Sequence, residues 1–182
     1  MKATNELSCY RYAVVVHVRP RGQQEQSIHY IEQERWFDFA ERKLDRQSLL
    51  EQLHTSSTSS PIAVSNIPHS KTIVSRCLVA SLDTAASETT AQQDWLSSVY
   101  KEAQHVPALS ATDLVDLAEE AGYRVEISWS RQHSQQGGLD AVFHRYQPQY
   151  GAKRVMFRFP NDDVGRPLHN LTSRPLRHQF LQ

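Results

Sequence analysis

Polar and aromatic side chains crowd the run Thr4-Asn5-Glu6-Leu7-Ser8-Cys9-Tyr10-Arg11-Tyr12, and Ala13-Val14-Val15-Val16-His17-Val18 follows at once. Residues 14–18 are β-branched except for His17, the composition of a strand covered on both faces. Asn5, Glu6 and Ser8 therefore stand at the lip of a buried sheet, where α/β folds build ligand and active sites. A strand of that kind needs neighbours, and little chain precedes it. The expectation is that its partner, with most of the site, lies on polypeptide other than this chain.

A second candidate is the loop Ser130-Arg131-Gln132-His133-Ser134-Gln135-Gln136-Gly137-Gly138. It is dense in donors and acceptors, bounded by two strands and closed by a diglycine, a composition able to bind a polar ligand or a partner. A hydrated hairpin tip is the plainer reading. Arg154 and Arg158 fall on one face of a later strand, where they could clamp an anion, although a solvated outer face is the commoner outcome.

Much other chemistry is missing from the sequence. Neither Gly-x-Gly-x-x-Gly nor Gly-x-x-x-x-Gly-Lys-Ser/Thr occurs, so no dinucleotide fingerprint or phosphate cradle is expected. The nine histidines never fall at His-x-x-x-His spacing, and no Cys-x-x-Cys occurs, so no metal site is expected. There is no Gly-x-Ser-x-Gly elbow, and no Cys lies beside a His for nucleophilic chemistry. Cys9 and Cys77 read as free core thiols of a reducing, cytoplasmic compartment. Twenty basic residues balance twenty acidic ones, which leaves no field to attract nucleic acid or an anionic membrane. No apolar run approaches the roughly 20 residues of a membrane span.

The remaining elements must position these residues. Trp36-Phe37-Asp38-Phe39 is an aromatic knot suited to core packing, and Leu44, Leu49, Leu50 and Leu53 predict a short amphipathic helix. Thr55-Ser56-Ser57-Thr58-Ser59-Ser60-Pro61 reads as a flexible linker, ahead of a strand over 62–67 that stops at Pro68. Helices are predicted over about 70–82 and 95–105, with a Thr-, Ser- and Ala-rich loop between them. Ser110-Ala111-Thr112-Asp113 predicts a capping box with Asp in the usual place of Glu. Leu114, Leu117, Ala118 and Ala121 make the stripe behind it, and Gly122 the stop. Period-two alternation then predicts strands near 125–129, 141–144 and 155–159, joined as an antiparallel meander. The 39% of apolar residues support a core with 22% charged residues outside it. The fold expected is α+β, in three parts: 1–54, ending a larger sheet; 61–159, a small antiparallel-sheet-plus-helices subdomain; and 160–182, a tail.

Four stretches carry a family resemblance. Asn5 to Tyr12 resembles the acceptor-side motif of N-methyltransferase domains embedded in the adenylation domains of non-ribosomal peptide synthetases. Val64-Ser65-Asn66-Ile67-Pro68-His69-Ser70-Lys71-Thr72 and the run from Tyr123 to His144 are similar to later segments of the fungal members, which make N-methylated peptides and depsipeptides. Leu171-Thr172-Ser173-Arg174-Pro175-Leu176 is similar to the return into the adenylation domain.

The resemblance implies a Rossmann-like sheet whose final strand or strands fall here, with the S-adenosylmethionine-binding core lying before Asn5. It implies that Asn5 and Glu6 hold or deprotonate the acceptor amine, and that Ser8, Tyr10 and Tyr12 bind the substrate. It implies adenylation and carrier domains as partners, and a truncated or fragmentary chain that binds no cofactor alone. Asn5 and Ser8 shaping a turn, with packed tyrosines, is the structural alternative. A free-standing module that docks onto a synthetase or methyltransferase is the functional one.

Overall fold

The computed structural model describes residues 27–56, 60–85, 95–129, 131, 134–148 and 154–162. Asn5, Glu6, Ser8, Tyr10, Tyr12, the run 14–18 and the tail beyond 162 lie outside the described residues. Among these residues the elements run β1 (Ile28–Tyr30), β2 (Trp36–Asp38), α1 (Arg46–Thr55), β3 (Ile62–Ile67), α2 (Ile73–Ala85), α3 (Trp95–His105), α4 (Ala111–Glu120), β4 (Arg124–Ser128), β5 (Leu139–His144) and β6 (Met156–Arg158). They form a mixed α+β arrangement. The Rossmann-like expectation concerns residues 1–54, of which 1–26 lie outside the described residues; in the remainder β1 pairs with β6 and β2 with β3.

The larger sheet has the order β2-β3-β5-β4, and β5 is its buried centre. Strands β3 and β4 both run antiparallel to β5, while β2 lies parallel to β3. Alternation sends Leu139, Ala141 and Phe143 to one face, where they meet Leu49, Leu50 and Leu53 of α1 and Leu114, Leu117 and Ala118 of α4. Val142 faces the other way, against Ala63, Ile31, Val155 and Phe157. That second face is covered by the two-stranded parallel sheet β1-β6.

The expected meander holds for β4 and β5 and fails for the third strand. Both edges of β5 are already paired, so residues 156–158 pair with 28–30 instead. The expected linker at 55–61 joins α1 to β3 across a single hydrophobic cluster, which holds Leu53 on one side and Val64 on the other.

Helices α1 and α4 are set by the same local device. Asp45 accepts from the Ser48 N–H at 2.8 Å and the Ser48 hydroxyl accepts from the Asp45 N–H at 2.8 Å. Ser110 and Asp113 make the same reciprocal pair at 3.1 and 2.7 Å. Gly122 closes α4 at φ +70°, a conformation costly for a side chain-bearing residue. Helices α2 and α3 pack on each other through Ile73, Cys77, Val99 and Ala103, apart from the main core. The excursion that contains them is stapled at its base, where Leu109 N–H donates to Pro68 C=O at 2.8 Å and Ser70 N–H donates to Leu109 C=O at 3.2 Å.

Candidate functional site

The β3–β5 pairing slips between Val64 and Ile67, and Asn66 takes a left-handed φ of 55°. A slip of this kind frees backbone donors. Here the Asn66 N–H is caught at 3.3 Å by Asp140, the second residue of β5, which is 1% exposed. A carboxylate so deep needs strong partners. Arg131 supplies two, with Nε at 2.9 Å and Nη2 at 2.7 Å from the two carboxylate oxygens. Buried Gln135 adds a third side-chain donor at 2.9 Å.

The network continues outward. The Asn66 side chain donates to Asp38 at 3.1 Å and accepts from Arg76 at 3.4 Å, while the other oxygen of Asp38 accepts the N–H groups of Ala40 and Glu41. Of the 130–138 stretch, Arg131 and Gln135 are held by these bonds, and in the turn ahead of β5 Gln136 and Gly137 both have positive φ. Trp129 Nε1 donates to the Gly137 carbonyl at 3.0 Å and pins that turn.

Arg131 also forms part of an open groove of about 740 Å³. Its apolar lining includes Trp36 and Phe159, whose ring centroids are 5.8 Å apart, and the Arg131 guanidinium lies 6.0 Å from the Trp36 centroid. Tyr30 and Arg158 are register partners across β1 and β6, and both line the same groove. Asp162 lines it too and accepts the Ser134 N–H at 3.1 Å. The groove therefore combines an aromatic surface, one guanidinium neutralised by a buried carboxylate, and one exposed guanidinium.

The two arginines expected on one face of the last strand do not act together. Arg154 is ion-paired with Glu126 of β4, which holds it firmly charged. The Arg158 guanidinium has no hydrogen-bond or ion-pair partner among the described residues. Of the loop expected to bind a polar ligand, Arg131 and Ser134 reach the groove, whereas Gln135 is committed to Asp140.

Sequence reasoning passed over Asp140, Trp36 and Phe159 as site residues. A legible signal existed for the first: an acidic residue inside the apolar run Leu139-Asp140-Ala141-Val142-Phe143 must find a cation or several donors. Among the described residues no group of three or more His, Cys, Asp or Glu side chains converges to hold a metal ion. No helix among them is long and apolar enough to cross a membrane.

Two further histidines are buried. Burial lowers the pKa of His69, helped by Lys71 and opposed by Asp113. Burial likewise lowers that of His144, with Glu126 acting against the shift. The thiol of Cys77 is pushed up by burial, which disfavours a reactive thiolate.

No family model and no solved structure matches the chain. Its homologues are fungal nonribosomal peptide synthetases. The chain is 61% identical over 184 residues to a segment of the nonribosomal peptide synthetase TES of Alternaria alternata, with 100% of the chain and 4% of that protein covered. It is 48% identical over 180 residues to the cyclosporin synthetase of Tolypocladium inflatum, covering 97% of the chain and 1% of the synthetase. A peramine synthetase of Metarhizium rileyi is 48% identical over 183 residues, with 98% and 6% covered. The chain thus spans a small fraction of the length of the curated relatives it matches.

Proposed function

We propose that this chain forms the acceptor-side part of an S-adenosylmethionine-dependent N-methyltransferase domain of a nonribosomal peptide synthetase, acting on aminoacyl thioesters tethered to a carrier domain. The observation that carries the reading is end-to-end similarity to short segments of very long synthetases, joined to the motif from Asn5 to Tyr12. Adenylation and carrier domains are the proposed partners, and the cytoplasm the proposed compartment.

Methylation of an amine needs a neutral nitrogen lone pair aimed at the methyl group. In this reading Asn5 and Glu6 hold the acceptor amine and take its proton, and Ser8, Tyr10 and Tyr12 line the acceptor pocket. Positioning and proton removal together supply several orders of magnitude. S-adenosylmethionine is the methyl donor of the proposed reaction. Among the described residues no strand leads through a glycine loop into a helix, the unit that would cradle a nucleoside.

The test is Glu6→Gln and Asn5→Ala in an intact synthetase carrying this segment. Methyl transfer to a carrier-loaded amino acid should fall about 10²- to 10⁴-fold with the melting temperature unchanged. Unchanged transfer in both variants rules the assignment out.

One observation favours a second reading, a module that docks onto a synthetase. Val79 and Leu82 of α2 and Leu96 and Tyr100 of α3 expose large apolar surface. Stable association of the isolated chain with a synthetase that lacks its own copy of these motifs would favour docking.

A further inference from the structure

We propose that the outer edge of β4 is an interface between two copies of this chain, joined across a two-fold axis at Val125 so that their four-stranded sheets become one. Among the described residues β4 pairs with β5 alone and ends the order β2-β3-β5-β4. Alternate N–H and C=O groups of β4 therefore point to a side on which no described strand lies, and such a row is a template for another strand. The opposite end of the sheet is blunted, because β2 has only three residues. The inference stands apart from the methyltransferase reading and holds or fails without it.

The charges along the strand choose the occupant. Arg124 and Glu126 carry opposite signs two residues apart, and they share the face of β4 that His144 and Val142 share on β5. A two-fold axis at Val125 sets that residue opposite its own copy. It also sets Arg124 opposite the second copy's Glu126, and Glu126 opposite the second copy's Arg124. Opposite charges directly across an antiparallel pair stabilise it. An axis at Arg124 or at Glu126 sets like charges face to face, and one at Ile127 pairs neither charge with the other. The strand is thus self-complementary in a single register, as a two-fold interface requires.

The walls beside the edge suit the same occupant. An open groove of about 260 Å³ borders β4 at Arg124, Val125 and Glu126, with Val115 of α4 on one side and Arg154 and Val155 on the other. Val115 is 40% exposed, so apolar area stands next to Val125 on the α4 side. An axis perpendicular to the sheet keeps α4 of both copies on one face, where Val115 covers the paired Val125 residues. Glu126 already holds Arg154, and its carboxylate has acceptor capacity left for an incoming guanidinium. Arg124 is exposed, and its 3.4 Å bond to Gln147 leaves other donors of its fork for the second copy.

The test is analytical ultracentrifugation of the full 182-residue chain across the micromolar range. A species of twice 20.9 kDa should form. Arg124→Glu and Glu126→Arg should each weaken it about tenfold or more, with circular dichroism unchanged. Mixing the two variants should restore association, since each then offers the charge that the other lacks. Arg124 is exposed whereas Glu126 is half-buried against Arg154, so Arg124→Glu decides the matter if the other variant loses its fold.

A monomer at every concentration overturns the proposal. A dimer that Arg124→Glu leaves unweakened does the same and moves the interface to another face. Failure of the two folded variants to associate with each other overturns the register. An open-ended series of larger species overturns the two-fold arrangement, because an isologous contact closes on itself.

Discussion

The two faces of β5 are built on different principles. Leu139, Ala141 and Phe143 meet an aliphatic layer of Leu49, Leu50 and Leu53 from α1 and Leu114, Leu117 and Ala118 from α4. Asp140, Val142 and His144 belong to the opposite face, and the two polar residues there are both 1% exposed. Asp140 collects donors from Arg131, Gln135 and Asn66, whereas neither ring nitrogen of His144 has a hydrogen-bond partner among the described residues. His144 is instead held among rings, 5.0 Å from Phe157 and 5.8 Å from Tyr146. The lesson is that burial alone does not predict what a polar side chain is worth. The number of partners does.

Breaking the satisfied end should have the largest effect. Asp140→Ala leaves the mostly buried Arg131 guanidinium and the Gln135 amide without their acceptor, and should cost about 3–5 kcal/mol in urea denaturation. Replacing Arg131 and Asp140 together with apolar residues of similar size should recover most of that loss. A cost below about 1 kcal/mol for Asp140→Ala would show that water replaces the carboxylate, and the contrast between the two ends would collapse.

On the aliphatic face the corresponding experiment is Leu117→Ala. Leu117 is fully buried in the cluster that joins α4 to the sheet, so the variant leaves a cavity and should lose about 3 kcal/mol. Its effect should add to that of Asp140→Ala, since the two act on opposite sides of the sheet. Strong coupling between them would mean that the faces are one cooperative network.

These two faces differ just as much in how far the sequence revealed them. The strand over 62–67 and the helix behind Ser110 are legible because their signals are local: an apolar run ended by proline, and a cap with its stripe and glycine stop. The helix expected over 70–82 is found at 73–85, a boundary shift within the reach of pattern reading. The aromatic face was far less legible. Pairing of residues 28–30 with 156–158 joins segments at opposite ends of the described chain, and three-residue strands carry almost no periodicity. Trp36 and Phe37 read as core aromatics, yet nothing local says that Trp36 faces one layer and Phe37 the other. The groove inherits that obscurity, because Tyr30, Trp36, Arg131 and Arg158 are brought together only by tertiary pairing.

Ser110→Ala tests whether the aliphatic face depends on the local cap as well as on packing. Loss of the hydroxyl bonded to Asp113 N–H should lower stability by about 1 kcal/mol, less than the loss from Leu117→Ala. A larger loss would place part of the strength of that face in the helix start, and the two faces would then resemble each other more closely.

The smallest effect is expected at the unsatisfied end, and its sign is opposite. His144→Phe keeps an aromatic ring among Phe157, Tyr146 and His29 and removes two buried polar atoms with no hydrogen-bond partner, so it should raise stability by up to about 1 kcal/mol near neutral pH. Acid should widen the difference. Burial holds the folded pKa of His144 below the ordinary 6.5, with Glu126 opposing and Arg124 and His29 assisting the shift. As pH falls below 6.5, the unfolded chain therefore binds more protons than the folded one, and stability falls with it. His144→Phe removes that contribution, while His69, also lowered, keeps its own. Melting temperatures between about pH 7.5 and 5 should thus decline less steeply in the variant, without becoming flat. Identical slopes would mean that His144 gains a proton as easily in the folded protein as in the unfolded one. Its burial would then carry no electrostatic cost, and the contrast with Asp140 would rest on hydrogen bonding alone.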